Sequence, residues 1–162
     1  MASEKEYDVE QRLNNHIGTH RAIQTATQSN SLATSFSGVG CAIDLAAGAS
    51  YQFRGLLLCT FTASGGTMTY RLHPTNGLAA SSFRAILVEF VNAQGPVTDK
   101  NSALDGTLTG SVVGTGLSDR YAMLEGFITV STAGTMATQG ALSSGSGTMI
   151  QSGSYLEVTQ VT

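Results

Sequence analysis

From about residue 50 onward, apolar and polar side chains alternate with a period of two, the spacing of a strand with one buried face. Tyr51, Phe53, Leu57, Cys59 and Phe61, with Gly55 among them, alternate with Gln52, Arg54, Leu56, Leu58 and Thr60. Met68, Tyr70 and Leu72 alternate with Thr69 and Arg71. Phe83, Ala85, Leu87 and Val91 alternate with Arg84, Ile86, Val88 and Phe90. Here both sets are apolar, which predicts a central strand covered on both faces. Leu108 and Val112 mark a weaker strand, and Tyr121, Met123, Glu125, Phe127 and Thr129 alternate with Ala122, Leu124, Gly126, Ile128 and Val130. Further strands centre on Met136, on Met149 and Ile150, and on Leu156 and Val158. Turn signals separate them at Ala47-Gly48, Ser64-Gly65-Gly66, Pro74-Thr75-Asn76-Gly77, Gln94-Gly95-Pro96, Gly114-Thr115-Gly116, Ala133-Gly134 and Ser144-Gly145-Ser146-Gly147. Strands recurring every ~8–12 residues between Gly-rich turns predict an all-β fold, a jelly-roll-like antiparallel β-sandwich.

The pattern stops at the N-terminal side. Residues 1–30 hold four acidic and three basic side chains, many Gln, Asn and Thr, and few large apolar groups. Ser3 and Glu6 match a capping box, and Tyr7, Val9, Leu13 and Ile17 follow at partly helical spacing, which predicts a helix over 4–15. Arg21 to Ser31 shows no period and no core face and is expected to be an extended connector. The chain therefore divides into an extended, partly helical arm, residues 1–30, and a β-sandwich head, residues 31–162.

Composition narrows the function classes. A chain of 162 residues suits one domain with a short arm. Charged residues make up 12%, about half the usual ~25%. The net charge is −3, the pI is near 5.5, and the cations Arg54, Arg71, Arg84, Lys100 and Arg120 are scattered, so no basic face for nucleic acid is expected. The longest apolar run, Leu56 to Phe61, is strand-sized, well short of the ~20 residues of a membrane helix. The acidic start, Met1 to Asp8, lacks the apolar stretch of a secretory signal. The expectation is a product made in a cytoplasm, without membrane or nucleic-acid partners.

Candidate chemistry is sparse. His16 and His20 stand four apart, as helix-borne metal ligands do, but Gly18 lies between them and no third ligand follows nearby. His73 beside Pro74 fits a turn. Gly116-Leu117-Ser118-Asp119-Arg120 and Gly48-Ala49-Ser50-Tyr51-Gln52 lack the final glycine of a nucleophile elbow. Glu89, Glu125 and Glu157 fall in strand patterns, where exposed positions or ion pairs with Arg54, Arg71 or Arg84 are expected rather than a glycosidase pair. Cys41 and Cys59 are expected to be reduced core thiols. No catalytic residue, cofactor or metal site is implied, and an enzyme is not expected.

Several C-terminal pieces resemble a family of small phage virion proteins. They are Ala49-Ser50-Tyr51-Gln52-Phe53, Gly126-Phe127-Ile128-Thr129-Val130, Ala133-Gly134-Thr135, Gln139 and Gly153-Ser154-Tyr155-Leu156. The resemblance implies a structural protein with a trimeric jelly-roll head, used in head fibres, tail fibres and capsid decoration proteins. A compact head on a short arm, without a repetitive shaft, suits a decoration (cement) protein on the capsid exterior. Its expected partners are two further copies and the major capsid protein. In that reading Tyr7, Val9, Leu13 and Ile17 anchor the arm to the capsid. The charge-poor strands 121–139 and 147–160 supply the trimer interface through Tyr121, Met123, Met136, Met149 and Tyr155. The alternative is a receptor- or glycan-binding head of a phage tail or head fibre, working through loops around 92–105 and 111–121.

Overall fold

The structure, a computed structural model, describes residues 18–24, 28–30, 36, 41–61, 67–91, 94–112, 118–142, 147–150 and 152–161. Among them there are strands and no helix. The expected helix over 4–15 lies outside the described residues.

Strands that need a partner for their apolar face find it in two antiparallel sheets. The chain runs β1 (Thr19–Ile23), β2 (Gln28–Asn30), β3 (Ala42–Leu45), β4 (Ser50–Phe61), β5 (Thr67–Thr75), β6 (Ala79–Val91), β7 (Gln94–Asn101), β8 (Leu108–Val112), β9 (Ser118–Thr132), β10 (Gly134–Leu142), β11 (Gly147–Ile150) and β12 (Tyr155–Gln160). The large sheet has the order β1-β12-β4-β9-β6-β7, with β11 beside the far end of β4 and β2 beside β11. The small sheet has the order β3-β10-β5-β8. Inward residues form a single core between the sheets, among them Tyr51, Phe53 and Leu57 from β4, Met68, Tyr70 and Leu72 from β5, Leu124 and Ile128 from β9, and Met136 from β10.

Two devices fix the geometry. Asn76 and Gly77 take positive φ of 53° and 82°, and Leu78 N–H donates to the Thr75 carbonyl at 3.1 Å. That is the two-residue turn for which Asn-Gly is selected, and it turns β5 into β6. The other device is Gly126, at the middle of β9. A Cβ there would stand 2.1 Å from the Arg84 carbonyl oxygen and 2.3 Å from Phe53 Cζ. Its absence lets the Phe53 and Phe83 rings stack, 5.8 Å apart and 16° from parallel.

The structure corrects several expectations. The segment expected to be a connector carries strands: Thr19–Ile23 pairs with β12 over five positions, and Gln28–Asn30 pairs with β11. Between them, Gln24 exchanges backbone hydrogen bonds with the break between β11 and β12, its N–H donating to the Ser154 carbonyl at 2.8 Å and its carbonyl accepting from Gly153 at 2.9 Å. The expected turn at Gln94–Pro96 is the start of β7, which follows β6 as an edge strand, where proline is tolerated. His73 is not a turn residue; it lies within β5, opposite Ala137. Finally, β6 is buried on its inner face only, and Ile86 and Phe90 stand exposed on the other.

Candidate functional site

The pleat sends every second residue of β4, β9 and β6 to the outside of the large sheet. There the register brings Leu56 opposite Met123 and Met123 opposite Val88. One step along the strands, Leu58 lies opposite Tyr121 and Tyr121 opposite Phe90. Ile86 is 51% exposed, Tyr121 45%, Phe90 43%, Met123 40% and Phe127 38%. At about 200 Å² per large side chain, Ile86, Tyr121, Phe90 and Met123 together expose on the order of 360 Å² of apolar surface, while Phe127 lies apart beyond Glu125. Half-buried Leu56, Leu58 and Val88 extend it. The largest apolar patch on a typical monomer is about 300–600 Å² and is often functional.

A row of alternating charge crosses the sheet at the border of this patch. Arg21 on β1 lies opposite Glu157 on β12, Glu157 opposite Arg54 on β4, and Arg54 opposite Glu125 on β9. Glu125 faces Ile86 on β6, and Ile86 faces Lys100 on β7. Within the row, Arg54 Nε and Nη2 both reach Glu157 Oε1 at 2.7 Å. The Arg54 side chain is 66% exposed all the same. Beyond the row the face turns polar, with Gln52, Arg84, Ser50, Thr129 and Ser82 around Phe127. An open groove of about 370 Å³ lies there, lined by Thr19, Gln52, Arg54, Glu125, Glu157 and Thr159.

Inside the sandwich lies the second notable cluster. Glu89 is fully buried, so the expectation of an exposed strand carboxylate is corrected. Its Oε1 accepts a hydrogen bond from Tyr70 Oη at 2.7 Å, and its Oε2 faces Arg120 Nη1 at 3.5 Å. The partner is thus Arg120, not Arg54, Arg71 or Arg84. Gly110 makes room for the carboxylate, since a Cβ there would stand 2.9 Å from both its oxygens. Burial pushes the neighbouring Cys59 thiol up to about 12 and the Tyr70 phenol well above its usual range. Cys41 is the other free thiol; its Sγ donates to the Ser154 carbonyl at 3.3 Å, and desolvation raises it too. A thiol held protonated in this way is a poor nucleophile.

Polar groups on the small sheet hold one another. Asp105 Oδ1 pairs with His73 Nδ1 at 2.7 Å and Arg71 Nη1 at 3.2 Å, while Arg71 Nε donates to Gln139 Oε1 at 2.8 Å. The Arg71 guanidinium also sits 4.2 Å over the Phe36 ring. Asp99 fastens β7 to the small sheet's edge by accepting from Thr109 N–H at 2.6 Å.

The three glutamates considered from sequence are not brought together. Glu89 points inward, while Glu125 and Glu157 lie outside, separated by the Arg54 strand. His20 lies exposed on β1, opposite Val158. No group of three potential metal ligands forms among the described residues.

Of the interface candidates, Tyr121 and Met123 lie at the centre of the exposed patch. Met136 does not: it is wholly buried between the sheets, because its position in β10 falls on the inward set. Tyr155 is half-buried, and its ring lies 4.2 Å beneath its own chain's Arg21. Met149 falls in β11, and its side chain lies outside what the structure describes, as do Tyr7, Val9, Leu13 and Ile17. Much of 92–105, considered from sequence as a binding loop, is strand β7, and Ser118 to Tyr121 open β9. Sequence reasoning missed Leu56, Leu58, Ile86, Val88 and Phe90 as surface groups. The double apolar alternation of β6 was the signal, but it was assigned to burial by the chain's own layers.

Comparison of the sequence with protein-family models and with curated proteins finds no match.

Proposed function

We propose that the chain is a virion structural protein: a jelly roll that trimerises through the outer face of its large sheet and decorates a phage capsid, clamping neighbouring major capsid subunits. The observation that carries this reading is the apolar patch of Ile86, Phe90, Tyr121 and Met123 on that face. Covering it with another copy removes from water a surface of the sandwich where large side chains gather, and apolar burial is the main driving force for association.

Strand order supports the jelly-roll assignment. Take β1, β3, β4, β5, β8, β9, β10 and β12 as the first to eighth strands. The large sheet then contains the first, eighth, third and sixth, and the small sheet the second, seventh, fourth and fifth. This is the winding of two Greek keys into a double sheet. The hairpin β6–β7 is added beside β9 and broadens the face that carries the patch.

Attachment to the shell is assigned to the N-terminal arm through Tyr7, Val9, Leu13 and Ile17. Three arms on one head raise the effective concentration of weak contacts, by ~10²–10⁴ in avidity. Light scattering on the full chain tests the assembly; a trimer mass is expected, and a monomer at micromolar concentration defeats it. Co-sedimentation with mature capsids tests attachment. Leu13→Asp should weaken it sharply while leaving the trimer mass unchanged, because a charge placed in an apolar groove costs several kcal/mol. Capsid binding equal to that of the unaltered chain would refute the arm's role.

A further inference from the structure

Glu125 makes a demand on whatever covers the patch. It is exposed, and its neighbours on β9 and β6 are Met123, Phe127 and Ile86. Arg54, its cross-strand neighbour on β4, gives its Nε and Nη2 to Glu157. A partner that buries Tyr121 and Met123 must also take Glu125 out of water, and a buried carboxylate needs a counter-charge.

We propose that the counter-charge is Arg54 of a second copy, so that the charged row sets the register in which copies of this chain meet. This rests on the self-association proposed above. The row reads Arg21, Glu157, Arg54, Glu125, Ile86, Lys100 across six strands. Laid against itself in strand register, such a row opposes like charges. Displaced by one strand, it sets Arg54 of one copy on Glu125 of the next. In a symmetric assembly that contact recurs at each interface, because every copy presents both residues. The apolar groups contribute most of the association energy, while the charges exclude the other registers, as complementary charges do at interfaces. Because the Arg54 side chain is two-thirds exposed while bound to Glu157, it can be met by a second copy without abandoning its own chain.

Two charge reversals in the full-length chain, Glu125→Arg and Arg54→Glu, test this. Each opposes like charges across the interface and is expected to weaken assembly by on the order of a hundredfold, a few kcal/mol of repulsion. Circular-dichroism melting of each variant at low concentration checks folding, and the isosteric Glu125→Gln serves where Glu125→Arg does not fold, with a smaller weakening expected. The deciding step is mixing: a tagged Glu125→Arg chain should retain an untagged Arg54→Glu chain in preference to an untagged Glu125→Arg chain, because two of the three interfaces of a mixed trimer then set opposite charges together. An effect confined within one chain would not be rescued by mixing. If the unaltered chain is itself monomeric, the self-association reading fails and takes this proposal with it. If it assembles and either reversal assembles equally well, or if the mixture stays monomeric, only the charged register is overturned.

Discussion

Replacing Gly126 with alanine adds one methyl group where two neighbours already stand too close. The new Cβ would lie 2.1 Å from the Arg84 carbonyl oxygen, 2.3 Å from Phe53 Cζ and 2.9 Å from Phe53 Cε1, against an ordinary contact of 3.4–4 Å. The carbonyl belongs to β6, paired with β9 on both sides of this point, so it moves only if the ladder opens. The ring is 1% exposed and stacked on Phe83, so it has no free direction either. Overpacking of this kind costs about 1–3 kcal/mol, and a weakened ladder bond adds about 1. Against this, alanine recovers about 0.5–1 kcal/mol of unfolded-chain entropy. The net loss is about 1–3.5 kcal/mol, which at roughly 2–4 °C per kcal/mol lowers Tm by about 2–14 °C. Gly55→Ala is the control. It meets the Tyr155 carbonyl at 3.0 Å and should lose less than half as much. Calorimetric melting of both at one concentration decides the matter. Phe53→Leu combined with Gly126→Ala should lose less than the two changes summed, because the smaller side chain frees part of the space. A Gly126→Ala Tm equal to that of the unaltered chain, or above that of Gly55→Ala, would refute the reasoning.

Other outcomes follow from the buried groups and the edge strands. Glu89→Ala leaves the Arg120 guanidinium buried without its carboxylate and should cost about 3–5 kcal/mol in urea unfolding; a loss under about 1 kcal/mol would show that the pair is not buried as described. Cys59 and Tyr70 keep their protons to higher pH folded than unfolded, so the native state binds more protons above pH 9. Stability should therefore be whole below pH 9 and fall between 9 and about 12, and Cys59→Ala should flatten the lower part of that slope. Neither thiol should react with a disulfide reagent at pH 8 in the native protein, and both should react in denaturant; one fast native thiol would contradict the burial. Removing residues 1–25 should lower Tm well below that of a chain lacking 1–17, because only the longer deletion strips β1 from β12; equal Tm values would mean that β1 does not stabilise the sheet.

Strands with one clearly apolar set were legible from the sequence, because burial imposes the period directly. β4 and β5 have the inward sets that alternation predicts, and the Asn-Gly turn sits where the φ requirement puts it. β1, β2 and β7 were not legible. They are edge strands, held by a ladder on one side, and Thr19 to Ile23 and Gln94 to Asn101 show no apolar period to read. The buried Glu89 was hidden for a related reason: its partners Tyr70 and Arg120 lie 19 and 31 positions away, and only the packing of the two sheets brings them together.

The candidate site follows the same logic with the opposite sign. β6 lies inside its sheet, between β9 and β7, but its double apolar alternation is not matched by burial on both faces. Burial of both faces within one chain would need a third layer, and the described residues form two sheets. Ile86, Val88 and Phe90 therefore remain outside, joined by Leu56, Leu58, Tyr121 and Met123 from the next two strands. An apolar residue on the outer face of a two-layer sandwich contributes little to that chain's own core. Such residues recur here over three adjacent strands and end at a charged row, and the layer proposed to cover them is a second copy of the chain. Tyr121→Ser with Met123→Ser separates the two uses of the alternation. If the face serves only the fold, the pair should cost stability with no change in mass. If it serves assembly, the melting of the isolated chain should hold within about 1 kcal/mol, as exposed substitutions do, and the trimer should dissociate.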